Sequence, residues 1–397
     1  MFLSHLGIDE FRPKGDTVAI FVGPNGSGKS NYLRRIAAHY RHNRHVVVVS
    51  NTTHDRFAGM RAVERMSAGR SGHSPKSVVK NAIAIVLDEP SSRFYQMNAI
   101  LEYCGYLPRF GFRVVGLKRY STRHRSMDFD IDPGDYDRAI HFLESYNKQI
   151  IWIDPTGEIL DYSRGLDFAA VLRNEKILRA EGRLSQIEVF LERQDRQVIE
   201  LTKASSGELA LISSLMFLIT TAHDDPLVLI DEPENSLHPS WQREYIEKIL
   251  TALSYRGASV LIATHAPLIV IGALAEHSDR VKVFQIDRGE PRSLNLDTTS
   301  VATSSIEEVL WRAFEVVTPA NHYVSEEIAE AISDYDKGKV EKRTVVGLID
   351  RLDEESFDAR QKEFFVAVRE LVDKVERRKN GGDEDDDSES GAVIADE

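Results

Sequence analysis

Residues 17–30, TVAIFVGPNGSGKS, restrict the fold more than any other stretch of this chain. A β-branched, apolar run from Val18 to Val22 leads into Gly23-Pro24-Asn25-Gly26-Ser27-Gly28-Lys29-Ser30, and Asn31 continues into a helical pattern. Two glycines separated by four residues, then Lys and a hydroxyl residue, is the spacing of a phosphate-binding loop. It stands here in the setting that spacing requires, between a strand and a helix. The glycines let successive backbone N–H groups turn inward around an anion. The helix that begins near Lys29 adds its N-terminal dipole. In such a loop the lysine, Lys29, reaches the outer phosphates and the Ser30 hydroxyl can ligate Mg²⁺. VVVVSN, residues 46–51, follows as a buried parallel strand. The start of the chain therefore predicts an α/β fold.

Asp-Glu-Pro occurs twice, at Asp88-Glu89-Pro90 and at Asp231-Glu232-Pro233. An acid pair at a strand tip beside a phosphate loop holds magnesium and aims a water, so the surroundings have to separate the two. Ser205-Ser206-Gly207-Glu208 opens an apolar helix whose first turn exposes free N–H groups. Leu227 to Ile230 is then a short apolar strand, with Asp231 and Glu232 at its C-terminal end, where open α/β sheets place their ligands. GASVLIATHAP gives a further strand, ending in Thr264-His265. Around the first pair, Pro75 and scattered glycines in SAGRSGHSP oppose an immediate apolar helix. His124 lies in the basic stretch KRYSTRHRS, and Phe94, Met97, Ile100 and Leu101 recur at helical spacing. Pro90 with acids before it fits a first helical turn, so Asp88 and Glu89 read as N-terminal helix charges.

The ordered set of GPNGSGKSN, SSGE, IDEPENSLHP and IATHAP resembles the ABC-type ATPase superfamily, and within it the SMC/RecF/OLD-like branch of AAA-type antiphage and DNA-repair ATPases. The resemblance covers roughly residues 1–60 and 200–290. It implies ATP and Mg²⁺ as cofactors. Gly23, Pro24, Asn25, Gly26, Ser27, Gly28, Lys29, Ser30 and Asn31 would cradle the nucleotide, with Ser30 and Asp231 on the metal. Glu232 would orient the attacking water, and His265 would contact the γ-phosphate and sense its loss. Ser205, Ser206, Gly207 and Glu208 would close over the loop of a second chain, so that ATP glues a head-to-tail homodimer or a higher homo-oligomer. His238 stands where the family commonly has Asp, and Ser205-Ser206-Gly207-Glu208 replaces its usual SGGQ. Gln96 is the one candidate for the family's glutamine loop. Phe11 and Arg12 either stack on adenine or belong to the core.

The expected architecture is an α/β, ABC-type P-loop ATPase head with a helical and β-hairpin insertion and a C-terminal helical region. Residues 1–55 and 200–300 would form the core in two sequence lobes, 56–199 the insertion, 301–380 the helical region and 381–397 a disordered acidic tail. Within the insertion, QIIWIDPTGEILDY (149–162) reads as a hairpin turning at Asp154–Gly157. Residues 168–199 suggest helices broken near Gly182. YLPRFGFRVVGLKRYSTRHR, 106–125, interleaves cations with Tyr106, Phe110, Phe112 and Tyr120. Such a mixture either stacks bases and neutralises phosphates or is a solvated face over core aromatics. Beyond the core, Ile306, Val309, Leu310 and Phe314, and then Phe364, Phe365, Val368, Leu371 and Val372, fall on helical faces. No acidic cluster with histidine follows residue 290, so any effector is expected to be a separate chain.

Composition narrows the setting. The net charge of −13 is uneven, because the last 17 of the 397 residues hold eight acids and no base, which leaves the rest at −5. A mildly acidic body does not exclude nucleic acid, since a local basic patch can still serve. One cysteine excludes an internal disulfide and a multi-cysteine zinc site. No apolar stretch approaches the roughly 20 residues of a membrane helix, and no signal peptide opens the chain. The cytoplasm suits all of this. The expected function is ATP-driven assembly that senses or remodels nucleic acid, or controls an effector such as a nuclease or toxin, in antiphage defence or DNA repair. The alternatives are an ATP-bound scaffold with negligible turnover and the energising subunit of a transporter.

Overall fold

The computed structural model describes residues 15–52, 55–67, 74–88, 92–118, 132–153, 162–294, 322–354 and 359–380, with Val309, Ala313 and Phe314 besides. Two compact units divide the chain, Met1–Asn295 and Leu296–Glu397. The first unit begins with β1 (Thr17–Val22), α1 (Lys29–Tyr40), β2 (Val46–Ser50) and β3 (Glu64–Ser67), followed by α2 (Pro75–Asp88) and α3 (Ser92–Tyr103). A further group comes next: β4 (Tyr106–Val115), α4 (Pro133–Ser145), β5 (Ile151–Ile153), α5 (Tyr162–Arg173), α6 (Glu175–Ala180), β6 (Gln186–Arg193) and β7 (Val198–Glu200). The chain returns through α7 (Ser206–Thr221), β8 (Leu227–Asp231), α8 (Pro239–Ala252), β9 (Ser259–Ala263), α9 (Pro267–His277), β10 (Val281–Asp287) and β11 (Glu290–Leu294).

The main sheet has the order β11-β10-β1-β9-β8-β2-β3, parallel throughout except for the β10–β11 hairpin. Every residue of β1, β2, β8 and β9 is buried. Strands covered on both faces read as unbroken apolar runs, which is why these four segments do. On one face Phe21, Leu229, Leu261 and Phe284 pack with Leu33 and Ile36 of α1 and with Phe57. Because all parallel strands end on the same edge, β1, β8 and β9 present their following loops side by side.

The second sheet, β5-β4-β6-β7, is antiparallel. It corrects one expectation. Residues 186–193 are a strand rather than helix, since Ile187, Val189 and Leu191 alternate into the interior with the period of two that a strand requires. Ile151–Ile153 pairs with Phe110–Phe112 of β4; the turn and second arm of the expected hairpin lie outside the described residues. In the basic stretch, Tyr106, Phe110 and Phe112 are buried and offer no ring to a base. Arg109 pairs with Glu192 and lies over Trp152, and Arg113 pairs with Glu188 and lies over Phe190. Tyr120, Arg119, Arg123, His124 and Arg125 lie outside the described residues.

The first Asp-Glu is also corrected. Residues 75–88 are one helix, despite Pro75, because proline is tolerated in a first turn. Asp88 therefore closes α2 instead of opening the next helix, which starts at Ser92. Glu89 and Pro90 lie outside the described residues. α2 packs on α5 and α7, and α3 on β4 and α7.

The second unit contains α10 (His322–Asp336), α11 (Lys342–Glu354) and α12 (Ala359–Asn380), around a core of Ile328, Tyr335, Val345, Ile349, Leu352, Phe365, Val368 and Val372. Leu371, expected on the same face, is 49% exposed. Ile306, Leu310, the Phe364 side chain, Phe11, Arg12 and the acidic segment 381–397 lie outside the described residues. Among the described residues no helix is long and apolar enough to cross a membrane.

Candidate nucleotide site

The site forms where β1, β8 and β9 end together. Ala263 is in register with both Phe21 of β1 and Asp231 of β8, so the residues that follow each strand fall in one row. From β1 the chain enters the glycine loop, with Gly23, Gly26 and Gly28 at φ 147°, 86° and 104°. A Cβ on Gly28 would stand 3.1 Å from the Cα of Gly289, and a Cβ on Gly23 would stand 2.9 Å from Ser27 Oγ. The loop is thus pressed between its own turn and the β10–β11 hairpin. Gly289 N–H donates to the Ser27 carbonyl at 3.0 Å, and Arg35 of α1 pairs with Glu290 at 3.1 Å. Pro24, Asn25 and Gly26 are exposed, and Asn31 accepts from Arg56 at 3.1 Å.

Lys29 is only 4% exposed; its ammonium donates to the carbonyls of Gly23 at 2.8 Å and Pro24 at 3.3 Å and lies 3.8 Å from Glu232 Oε1. Ser30 Oγ donates to Asp231 Oδ1 at 2.8 Å. Asp231 is fully buried, and burial pushes its carboxyl up to about 6; the Ser30 bond opposes this, and the Glu232 and Glu234 charges add to it. Its second oxygen, Oδ2, has no hydrogen-bond partner. A buried carboxylate oxygen with no donor is costly, and a divalent cation shared with the Ser30 hydroxyl would satisfy it. The donor set therefore fits Mg²⁺.

Glu232 adopts φ 51°, in the left-handed region, while its N–H donates to the Ala263 carbonyl at 2.9 Å. The main-chain bond holds the strained residue at the strand end, and its carboxylate hydrogen-bonds His265 Nδ1. Sequence reasoning missed Glu234. This buried acid accepts the His265 N–H at 2.6 Å and lies 3.0 Å from Nδ1. Burial raises its carboxyl as well. The available signal was the third acid in Asp231-Glu232-Pro233-Glu234. His238 caps α8, its Nδ1 accepting from Ser240 N–H at 3.3 Å. A helix cap is a role Asp could fill too.

Ser205 caps α7 in a capping box: its Oγ accepts from Glu208 N–H at 3.2 Å, and Glu208 accepts from Ser205 N–H at 2.7 Å. Ser205 and Ser206 are exposed, whereas Gly207 is buried. A Cβ on Gly207 would fall 2.3 Å from the Ser236 carbonyl, so the segment is seated on the loop that follows the acid pair. Among the described residues, no hydrogen bond or ion pair joins 205–208 to the loop 23–30. Gln96 does not enter the cluster; its amide donates to Thr251 at the end of α8.

A parallel sheet whose adjacent strand ends carry a phosphate loop, an acid pair and a histidine, with a capped Ser-Ser-Gly helix beside them, is the head of an ABC-type P-loop ATPase of the SMC/RecF/OLD-like branch. The family model described as "AAA domain, putative AbiEii toxin, Type IV TA system" matches residues 66–271, more than half of the chain, and the chain belongs to that family. Among curated proteins, Protein ea59 of Escherichia phage lambda is 31% identical over 70 residues, which is 18% of this chain but only 13% of that relative's length. Among solved structures, the SMC head bound to the C-winged helix domain of ScpA aligns over 64% of this chain and 91% of that one, at 13% identity and a TM-score of 0.23. At that score the likeness adds nothing to what the strand order already shows.

Proposed function

We propose that the chain hydrolyses ATP with Mg²⁺ and that ATP joins two copies head to tail. The observation that carries this is the convergence of Lys29, Ser30, Asp231, Glu232, Glu234 and His265 at neighbouring strand ends. The loop amides and Lys29 bind the β- and γ-phosphates. Ser30 and Asp231 hold Mg²⁺, which when bound neutralises phosphate charge. Glu232 aims the attacking water and takes up its proton, and His265 contacts the γ-phosphate. Phosphoryl transfer needs mainly such positioning and charge stabilisation.

The exposed Ser205 and Ser206 support the second half of the proposal. The cap uses the Ser205 oxygen as an acceptor from Glu208 N–H, and the Ser205 hydroxyl also hydrogen-bonds the Glu208 carboxylate, so both side chains hold the helix end in place. The first-turn amides and the exposed Ser206 suit the γ-phosphate held by another copy. ATP then shifts a monomer–dimer balance by binding one state better. The assembly senses or remodels nucleic acid, or restrains a separate effector such as a nuclease or toxin, in the cytoplasm, in antiphage defence or DNA repair. That context is family analogy, since fold alone does not assign a role.

Light scattering tests the assembly. Glu232→Gln should trap a dimer mass with MgATP, and Lys29→Ala should remain at the monomer mass. Equal masses for both variants with and without ATP would remove the gluing step.

A further inference from the structure

At one end of the second sheet, a polar cavity of about 540 Å³ is lined by Gly116, Lys118, Lys176, Arg179, Leu184 and Ser185. Most other cations on this sheet and its helices are paired: Lys80 with Glu175, Arg109 with Glu192, Arg113 with Glu188, Arg183 with Glu181 and Arg193 with Glu208. Lys118, Lys176 and Arg179 are exposed, and no ion pair joins any of them to a carboxylate of the described residues. Three cations with no ion pair among the described residues, gathered around one cavity, contrast with the acidic balance of the whole chain, −13.

The backbone under them is firmly held. Gly116 sits at φ 69°, and a Cβ there would fall 2.0 Å from Ser185 Oγ. Lys118 N–H donates to Arg183 O at 2.7 Å, and Ser185 N–H to Val115 O at 2.8 Å. The extension of β4 that carries Lys118 is thereby fixed to the turn before β6. Among the described residues no aromatic lines the cavity, and Leu184 is buried. These residues offer a base nothing to stack on, whereas phosphates meet positive charge.

We infer that this cavity binds the phosphodiester backbone of double-stranded nucleic acid, without regard to sequence. Lys118, Lys176 and Arg179 are the three cations that face the phosphates. The same two strands lead to the nucleotide machinery. Val115 pairs with Gln186 at the cavity end and Tyr106 with Arg193 at the other, where Arg193 stands 3.6 Å from Glu208 of the capping box. The cavity thus lies on the same two strands whose far end meets the Ser205–Glu208 cap.

This site rests on the reading that the ATPase senses nucleic acid, but it needs neither ATP nor a dimer. Fluorescence anisotropy of a labelled 30-base-pair duplex with the full nucleotide-free chain tests it. Three phosphate contacts predict that wild-type affinity falls about 40-fold between 50 and 200 mM salt, from a slope of about 0.9 per contact. K118Q/K176Q/R179Q should lose most of that slope while keeping wild-type melting and ATP turnover, and each single variant should lose about a third. No duplex binding by the wild type at 50 mM salt would overturn the site, as would an unchanged slope in the triple variant. Tighter binding of a single strand of equal length would overturn it too, because stacking would then be involved. Should the light-scattering test fail while the duplex binds, this site stands and the gluing step falls; the reverse result removes only this site.

Discussion

Asp88-Glu89-Pro90 and Asp231-Glu232-Pro233 are the same three residues after runs of similar composition, Ala84-Ile85-Val86-Leu87 and Leu227-Val228-Leu229-Ile230. One run is the last turn of α2 and the other is β8. In α2 Val78, Val79, Ala82, Ile83 and Val86 are buried at helical spacing with the small Ala84 beside them, and Ile85 is 39% exposed. In β8 all five residues are buried between β2 and β9, directly after Pro226. A helix end stands alone, whereas a strand end in a parallel sheet stands beside the ends of its neighbours. Asp231 thereby meets Ser30, and Glu232 meets Lys29 and His265. An acid pair acquires chemistry from the strands alongside it, and the tripeptide carries none by itself.

The sharpest way to break this comparison is to disarm each pair in turn. Glu232→Gln should slow ATP turnover by about 10²–10⁴-fold, the range for losing a positioned general base. Asp88→Asn should leave turnover at the wild-type rate. A similar loss from both would return the first pair to the active centre.

Stability gives the next contrast. The native Asp231 carboxyl titrates near 6, above its ordinary 3.8. Between these values the folded chain holds a proton that the unfolded chain has released, so this group's contribution to stability rises as pH falls through 6 and levels off near 4. Asp231→Asn should therefore melt higher than the wild type at pH 8 in chelator, by up to about 3 kcal/mol for such a shift. The gap should close towards pH 4. Asp88→Asn should show no such convergence, and equal melting of Asp231→Asn and wild type at pH 8 would deny the burial penalty.

The smallest effect concerns the residue that follows each Asp-Glu-Pro, Glu234 in one case and Ser91 in the other. Glu234→Ala should lower kcat about tenfold, equivalent to about 1.4 kcal/mol, with KM little changed, because His265 loses the acceptor for its N–H. Glu234→Gln, which keeps a carbonyl acceptor, should recover part of that loss. A change in KM alone would assign Glu234 to nucleotide binding instead.

The phosphate loop was legible because its geometry is local: positive φ at Gly23, Gly26 and Gly28 follows from residue type and spacing within eight positions. The apolar runs of β8 and β9 were equally visible, and the acid pair and His265 could be picked out at their ends. Glu234 escaped because its importance lies in the N–H of His265, 31 residues further on. The hairpin around Gly289 escaped because β10 lies next to β1 across some 260 residues of chain, and no local pattern announces that neighbour. QIEVFLER was read as helix for the same reason, since only pairing with β4 decides which of its faces is buried. The aromatics of β4 could have been a stacking surface or part of the core, and only their burial inside the second sheet decided for the core.

The sequence alone determined the elements whose physics is confined to a few adjacent residues: the glycine turn, the helix that starts at Lys29, the apolar helix opened by Ser205–Glu208 and the buried parallel strands. Only the tertiary structure decided which acids meet the loop, which cations find a carboxylate among the described residues and which apolar run is strand rather than helix. Those outcomes depend on distances and burial between segments remote in sequence, and local propensity contains no information about either.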